Sequence, residues 1–153
     1  MTSFYDPPRL EQLFAKELEL FMKTHPESKK LHDKAAGPMM NGVPMSWMKK
    51  WPGPYPVYVA SAKGAHFTDV DGHDYVDFCL GDTGAMVGHS PDASVAAIKK
   101  QLDKGITFML PTDDAAIAAQ TLADRFGLEK WQFTLTATDA NRHIIRYARH
   151  VTG

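Results

Sequence analysis

Apolar residues recur at helical spacing near the N-terminus and at alternate positions in the middle of the chain. After Pro7-Pro8 they return every third or fourth residue, which predicts an amphipathic helix over residues 9–24. Residues 25–54 follow neither period and are rich in Met, Gly and Pro, so we expect an irregular segment along a groove or an interface. Beyond it, the period of two predicts short strands at residues 55–60, 66–70 and 75–80.

The turns between these strands favour an antiparallel sheet. Ala62-Lys63-Gly64 separates the first two strands, and Asp71-Gly72 separates the second from the third. Asp-Gly is a strong hairpin signal, and turns this short join antiparallel neighbours. The sequence therefore predicts a three-stranded antiparallel meander.

Capping residues mark two helices after the meander. Ser90 is a favourable N-cap with Pro91 behind it, and Gly105 is expected to close that helix. Thr112 is expected to cap the next helix, which Gly127 ends.

A predicted strand at residues 131–136 leads into a predicted helix at residues 139–152 through Thr136-Ala137-Thr138. Backbone N–H groups at a helix N-terminus have no partner inside the helix, and the helix dipole adds positive charge there. The turn therefore predicts a phosphate-binding site. An ordinary N-cap cluster is the alternative interpretation, since Ser and Thr precede many helices.

The strand that precedes this turn needs parallel neighbours, which an antiparallel meander does not provide. We therefore expect the chain to be incomplete as a stand-alone fold, either as the leading segment of a larger protein or as one half of a two-chain assembly.

Composition indicates a globular protein and excludes several functions. The 153 residues are 44% hydrophobic with a net charge of −1, which argues against nucleic acid or an anionic membrane as a partner. Without a signal peptide or a long apolar run, the chain is expected to be soluble and cytoplasmic. Cys79 is expected to be an inert buried thiol. His143 and His150 share a helix face but have no evident third ligand, so no metal is expected.

From Gly37 to Gly153 the chain resembles the class III aminotransferases, pyridoxal phosphate enzymes of fold type I. The branch it resembles most contains glutamate-1-semialdehyde aminomutase and the β-amino acid aminotransferases. Order and spacing agree throughout. The matching pieces are Gly64-Ala65, Asp69 to Phe78, Gly88-His89, Gly105, Pro111-Thr112, Thr136 to Asn141, Ile145 to Arg149 and Thr152-Gly153.

The resemblance implies an α/β fold that is α+β at its N-terminus. Residues 1–36 would be an N-terminal helical segment, and residues 37–90 the small-domain meander with an interface segment. Residues 91–153 would begin the large domain that binds the cofactor.

The resemblance also implies a cofactor site. In the family, the segment that matches Thr136-Ala137-Thr138 is usually Ser-Gly-Thr and holds the phosphate of pyridoxal 5'-phosphate. The amides of Ala137 and Thr138 and the hydroxyls of Thr136 and Thr138 would bind that group here. Ala137 replaces the usual Gly, which is tolerable if its φ is negative.

A substrate pocket is expected near Trp51, Asp82, Thr83 and Met109. Asp82 stands where an aromatic residue often lines the pocket, and an anion there favours a substrate with a cationic or hydroxylated end. Met45 stands where related enzymes carry an Arg that looks positioned to pair with the substrate carboxylate. A thioether cannot form that bidentate ion pair.

The activity implied is transfer of an amino group from an amine or amino acid to a 2-oxo acid, by a homodimer with interfacial active sites. An aminomutase is the near alternative, and a non-catalytic remnant or assembly module is the alternative of another class. The family's Schiff-base lysine lies downstream of these motifs, and no lysine here matches it. Residues 1–153 alone are therefore expected to contain no catalytic residue.

Overall fold

The computed structural model describes residues 6–50 and 52–153. These residues form two compact units, one ending at Asp103 and the other running from Lys104 to Gly153. The described part of the first unit contains a small sheet and three α-helices, and the second unit contains two α-helices.

The first helix, α1, spans Pro7–Thr24 and confirms the amphipathic helix predicted there. Asp6 caps it by accepting the N–H of Arg9 at 3.2 Å, and proline begins it because the first turn needs no amide donor. The N–H of His25 donates to the carbonyl of Phe21 at 2.9 Å where the helix ends.

The prediction of an irregular segment over residues 25–54 is wrong in its first third. A second helix, α2, spans Pro26–Ala36 and is followed by short 3₁₀ turns at Met40–Gly42 and Ser46–Lys50. The helix has few apolar residues, so its periodicity is weak. It is supported instead by Pro26 in its first turn and by a surface ion pair between Lys29 and Asp33.

The three-stranded antiparallel meander is confirmed, in the order β1-β2-β3. Strand β1 spans Val59–Lys63, β2 spans His66–Asp69 and β3 spans Asp74–Val76. Lys63 pairs with His66, so Gly64-Ala65 form the first turn.

The predicted boundaries were wrong at both ends of the first strand and at the end of the third. The first strand runs to Lys63, three residues past its predicted end, because Ala62 and Lys63 pair with β2 instead of forming the predicted turn. The first strand begins four residues after residue 55, because Tyr55 is buried against the helices instead, with its ring centroid 5.1 Å from that of Phe21. The third strand ends at Val76, because the carboxylate of Asp77 turns back onto the amides that follow it.

Helix α3 spans Asp92–Leu102, so both of its predicted ends were wrong. Its N-cap is Pro91, and the hydroxyl of Ser90 donates to the carbonyl of Ala62 at 3.2 Å instead of capping the helix. Its C-cap is Asp103, two residues before Gly105.

Helix α4 spans Asp113–Phe126 and confirms its predicted ends. Thr112 occupies the N-cap position, although its side chain makes no capping hydrogen bond, and Gly127 ends the helix in the left-handed conformation with φ of 67°.

Helix α5 spans Ala137–Thr152 and confirms the last predicted helix, with a start two residues earlier. The strand predicted at residues 131–136 is not formed. The unit of residues 104–153 contains helices and no strand, so no neighbouring strand accepts its hydrogen bonds. No described helix has the length and apolar character needed to cross a membrane.

Candidate functional site

In the turn before α5, the side chain of Thr136 bonds to both the backbone and the side chain of Asp139. Thr136 is the N-cap residue, and its hydroxyl oxygen accepts the N–H of Asp139 at 3.1 Å. The same hydroxyl donates to a carboxylate oxygen of Asp139 at 3.1 Å. Both hydrogen-bonding functions of the Thr136 side chain are therefore used within the turn.

The next two residues leave donors free. The backbone N–H groups of Ala137 and Thr138 have no hydrogen-bond partner among the described residues, and both residues are exposed. The Thr138 hydroxyl has no side-chain partner there either. Two adjacent amides at the positive end of a sixteen-residue helix form an anion-binding arrangement.

A second candidate region is the loop between Asp77 and His89 in the first unit. One carboxylate oxygen of Asp77 accepts the amides of Cys79 at 2.8 Å and Leu80 at 2.9 Å, and the other accepts the amide of Gly81 at 3.1 Å. Nε2 of His89 lies 2.6 Å from that second oxygen. A carboxylate only accepts, so Nε2 carries the hydrogen.

This pair gives His89 a structural role, since its ring fixes the loop to the Asp77 carboxylate. The hydrogen bond from His89, together with the three amides, holds the pKa of the Asp77 carboxyl below its usual range. Cys79, expected to be buried, is exposed instead, because the chain leaves the sheet one residue after Val76 and Cys79 belongs to the loop.

The base of the loop is closed on the first hairpin turn. The N–H of Asp77 donates to the carbonyl of Ala65 at 2.8 Å, and His89 exchanges two backbone hydrogen bonds with Gly64, at 2.8 and 2.9 Å. Gly88 packs directly on Gly64, since a Cβ added to it would lie 3.2 Å from the Gly64 Cα. Both ends of the loop are therefore fixed to the same turn.

The predicted pocket residues are distributed along the chain. Asp82 and Thr83 are adjacent and exposed on this loop. Met109 is 97% exposed in the second unit. Trp51 lies outside the described residues. The first unit also has an apolar cavity of about 460 Å³ beside the 3₁₀ turn at Ser46–Lys50. Its lining includes Val43, Pro44, Trp47, Met48 and Val57.

Sequence reasoning missed a buried polar cluster around Asp69, which is 2% exposed. One oxygen of Asp69 accepts the backbone amides of Asp71 and His73 at 2.9 and 2.8 Å. The other accepts Nδ1 of His73 at 3.0 Å and the hydroxyl of Tyr75 at 2.9 Å. The Tyr75 hydroxyl also lies 2.8 Å from Nε2 of His25, at the end of α1.

The pKa values follow from these contacts. Burial alone would raise the pKa of Asp69, but the hydrogen bonds from His73 and Tyr75 outweigh it, so this pKa is lowered. Burial, reinforced by the hydrogen bond to Asp69, raises the pKa of Tyr75 to about 12. Asp69 is therefore a buried anion that is stabilised by backbone amides, an imidazole ring and a phenol hydroxyl.

The same cluster has three potential metal ligands, His25, Asp69 and His73, whose ligand atoms lie within 4.8 Å of one another. Their hydrogen bonds argue against a metal. Zinc binds a histidine nitrogen at about 2.0–2.1 Å. An ion bound to Nε2 of His25 would have to occupy the direction that the Tyr75 hydroxyl already takes, since that hydroxyl hydrogen-bonds Nε2 at 2.8 Å. The cluster fastens the helices to the sheet.

Asp71 makes the second connection between the helices and the sheet. Its carboxylate accepts the amides of Glu27 and Ser28 at 2.6 and 3.0 Å and the Ser28 hydroxyl at 2.7 Å. These amides belong to the first turn of α2, and the N-cap residue His25 makes no side-chain cap. These bonds hold the pKa of Asp71 below its usual range, although its partial burial acts in the opposite direction.

The sequence profile described as aminotransferase class-III matches residues 47–152, and the chain belongs to this family.

Individual relatives are consistent with membership of this family. The chain is 36% identical over 130 residues to a glutamate-1-semialdehyde 2,1-aminomutase of Methanocaldococcus jannaschii, an alignment covering 83% of this chain and 30% of the relative. It superposes on a glutamate-1-semialdehyde aminomutase from Pseudomonas aeruginosa PAO1 with a TM-score of 0.87 and 46% identity, covering 94% of this chain and 32% of that one.

A β-phenylalanine aminotransferase from Variovorax paradoxus superposes with a TM-score of 0.86 and 28% identity, covering 94% of this chain and 33% of the other. A lysine-to-alanine variant of the P. aeruginosa enzyme has also been solved in complex with PMP. The chain spans about a third of the length of these proteins. Its helices and small antiparallel sheet correspond to the N-terminal portion of a fold type I enzyme.

Proposed function

We propose that the complete protein is a pyridoxal 5'-phosphate-dependent class III aminotransferase that moves an amino group from an amine or amino acid to a 2-oxo acid. The observation that carries the proposal is the pair of partnerless amides at Ala137 and Thr138, in a chain that belongs to this family. The cofactor, when bound, supplies the electron sink for the chemistry.

The donor set of the turn fits a phosphate. Ala137 is the first residue of α5 and its φ is negative, so the methyl group that replaces the family's usual glycine causes no backbone strain. The amides of Ala137 and Thr138 and the Thr138 hydroxyl would hold the phosphate. The Thr136 hydroxyl, already bonded to Asp139, would contribute mainly by fixing the turn.

The other assignments extend this proposal. Asp82, Thr83, Met109 and Trp51 would contribute to the substrate pocket, and the 37–90 and 91–153 segments to the small and large domains. A homodimeric cytoplasmic enzyme is part of the same proposal, and the exposed apolar side chains of the second unit are available for packing against other polypeptide. Leu135, at 96% exposed, and Val151, at 81% exposed, are examples.

The test is Thr138→Ala in the complete protein, which removes one proposed phosphate ligand. We expect weaker cofactor binding, measured as loss of the visible absorbance of bound pyridoxal 5'-phosphate at low cofactor concentration. Thr152→Ala is the matched control, since its hydroxyl donates to the Ala148 carbonyl at the other end of α5. Equal cofactor affinity in wild type and Thr138→Ala would contradict the phosphate assignment.

An aminomutase is the second candidate, because relatives at 36% and 46% identity carry that name. The two are separated by assaying glutamate-1-semialdehyde without an added acceptor, and by assaying amino donors with a 2-oxo acid. Turnover only in the first assay indicates the aminomutase. A protein that binds no cofactor would instead be a non-catalytic assembly module.

A further inference from the structure

The loop between Asp77 and His89 has an unusual backbone. Leu80, Asp82 and Thr83 adopt left-handed conformations with φ of 55°, 53° and 74°, and Gly81 between them has φ of 55°. Side chains with a Cβ rarely occupy this region, and such residues persist only where their surroundings enforce them. Outliers of this kind cluster at functional sites, so their presence here points to a role for the loop.

A single carboxylate supplies the side-chain contacts that enforce this backbone. Asp77 accepts the amides of Cys79, Leu80 and Gly81, which lead directly into the left-handed run. His89 donates to the same carboxylate from the other end of the loop, at 2.6 Å. The side chain of Asp77 is only 9% exposed, so solvent competes little for these bonds.

Backbone hydrogen bonds inside the loop act together with this carboxylate: the N–H of Asp82 donates to the carbonyl of Cys79 at 3.0 Å, and the N–H of Ala85 donates to the carbonyl of Leu80 at 2.8 Å. Phe78, Met86 and Val87 are 91%, 71% and 86% exposed, and they bury little apolar surface that could fix its shape. The backbone bonds close the turn around Asp82 and Thr83, and Asp77, with the histidine that orients it, ties that turn to the base of the loop.

We propose that Asp77 and His89 are positioning residues for amino-donor recognition. His89 holds the Asp77 carboxylate, Asp77 holds the three amides, and the loop thereby presents Asp82 and Thr83 to the donor. This inference rests on the proposed function, in which Asp82 and Thr83 line the substrate pocket. Neither Asp77 nor His89 is assigned contact with the substrate or the cofactor.

The proposal predicts a selective kinetic change. In the complete enzyme, His89→Ala is expected to raise KM for the amino donor by about tenfold to a hundredfold, since a misplacement of about 1 Å has effects of this size. KM for the 2-oxo acid, cofactor absorbance and kcat should change much less. His89→Gln, whose amide nitrogen can donate to Asp77, should restore most of the donor KM.

His66→Ala is the matched control, because His66 is exposed on β2 outside this loop, and its KM should equal that of wild type. If His89→Ala does not fold, Asp77→Asn decides, since it keeps one carbonyl acceptor and should show the same rise in donor KM.

An active wild type whose folded His89→Ala or Asp77→Asn variant keeps the wild-type donor KM would overturn the positioning role alone. A wild type that binds no cofactor and transfers no amino group would overturn the proposed function, and this inference with it.

Discussion

Asp71, in the turn between β2 and β3, accepts both the backbone N–H and the hydroxyl of Ser28, whose place in the chain is 43 residues earlier. A hairpin turn therefore provides the cap that α2 lacks in its own sequence. Ser28 is fully buried at this contact, so the bonds are shielded from water.

Replacing Asp71 with Ala should destabilise the first unit by about 0.5–2 kcal/mol, the range for loss of a helix cap. Urea denaturation followed by circular dichroism measures the change. Asp33→Ala is the control, because it removes only the exposed pair with Lys29 and should change the free energy of unfolding by less than about 0.5 kcal/mol. Equal effects of the two substitutions would show that Asp71 is not a cap.

Stability should fall in acid. The pKa values of Asp69 and Asp71 lie below their ordinary value of 3.8 in the fold, so the unfolded chain takes up protons first as pH decreases. Their contribution is complete above about pH 5 and is lost as pH falls through the folded values. Urea midpoints measured from pH 7 to pH 3 test this. Asp71→Asn should flatten the dependence, and an unchanged slope would contradict the assignment.

The phenol of Tyr75 should lose its proton at a higher pH than an ordinary tyrosine does. Its pKa of about 12, against an ordinary 10.0, means that the neutral phenol is favoured in the fold. That contribution to stability is complete below pH 10 and is lost as pH rises toward 12. The ultraviolet absorbance of tyrosinate, compared between wild type and Tyr75→Phe, isolates this residue. A difference curve with its midpoint near pH 10 would show that Tyr75 is not held by Asp69.

Gly88→Ala should destabilise the loop base more than Gly72→Ala does. Both glycines have φ of 88°, so the backbone strain of a side chain is shared. Only Gly88 has a close neighbour, the Gly64 Cα at 3.2 Å from an added Cβ, while Gly72 has nothing within 4 Å. The difference between the two unfolding free energies measures the packing contact, with an expected value of about 1–3 kcal/mol. Identical destabilisation by the two substitutions would show that the contact with Gly64 does not contribute to stability.

Local signals predicted much of the fold. The turn at Asp71-Gly72, the N-cap position at Thr112 and the end at Gly127 depend on a few neighbouring residues, so the sequence reveals them. Helix α2 was missed because its supports are polar and partly distant. The histidine and proline at its start were a usable signal, since Pro26 occupies a first-turn position.

The candidate site was predictable to a similar extent. The donors at Thr136-Ala137-Thr138 follow from a helix start, which is local. The pairing of Asp77 with His89 could not be predicted, because it joins residues twelve positions apart across a non-repetitive loop. The strand expected at residues 131–136 failed for a different reason, since a strand exists only with a hydrogen-bonded neighbour.

Ala137 has one more consequence, for the unbound protein. A glycine at this position samples many backbone conformations in the unfolded chain, whereas alanine with a compatible negative φ samples fewer. The exchange favours the folded turn by about 0.4–1 kcal/mol. The start of α5 is therefore preorganised, and an anion that arrives there orders little backbone in order to bind.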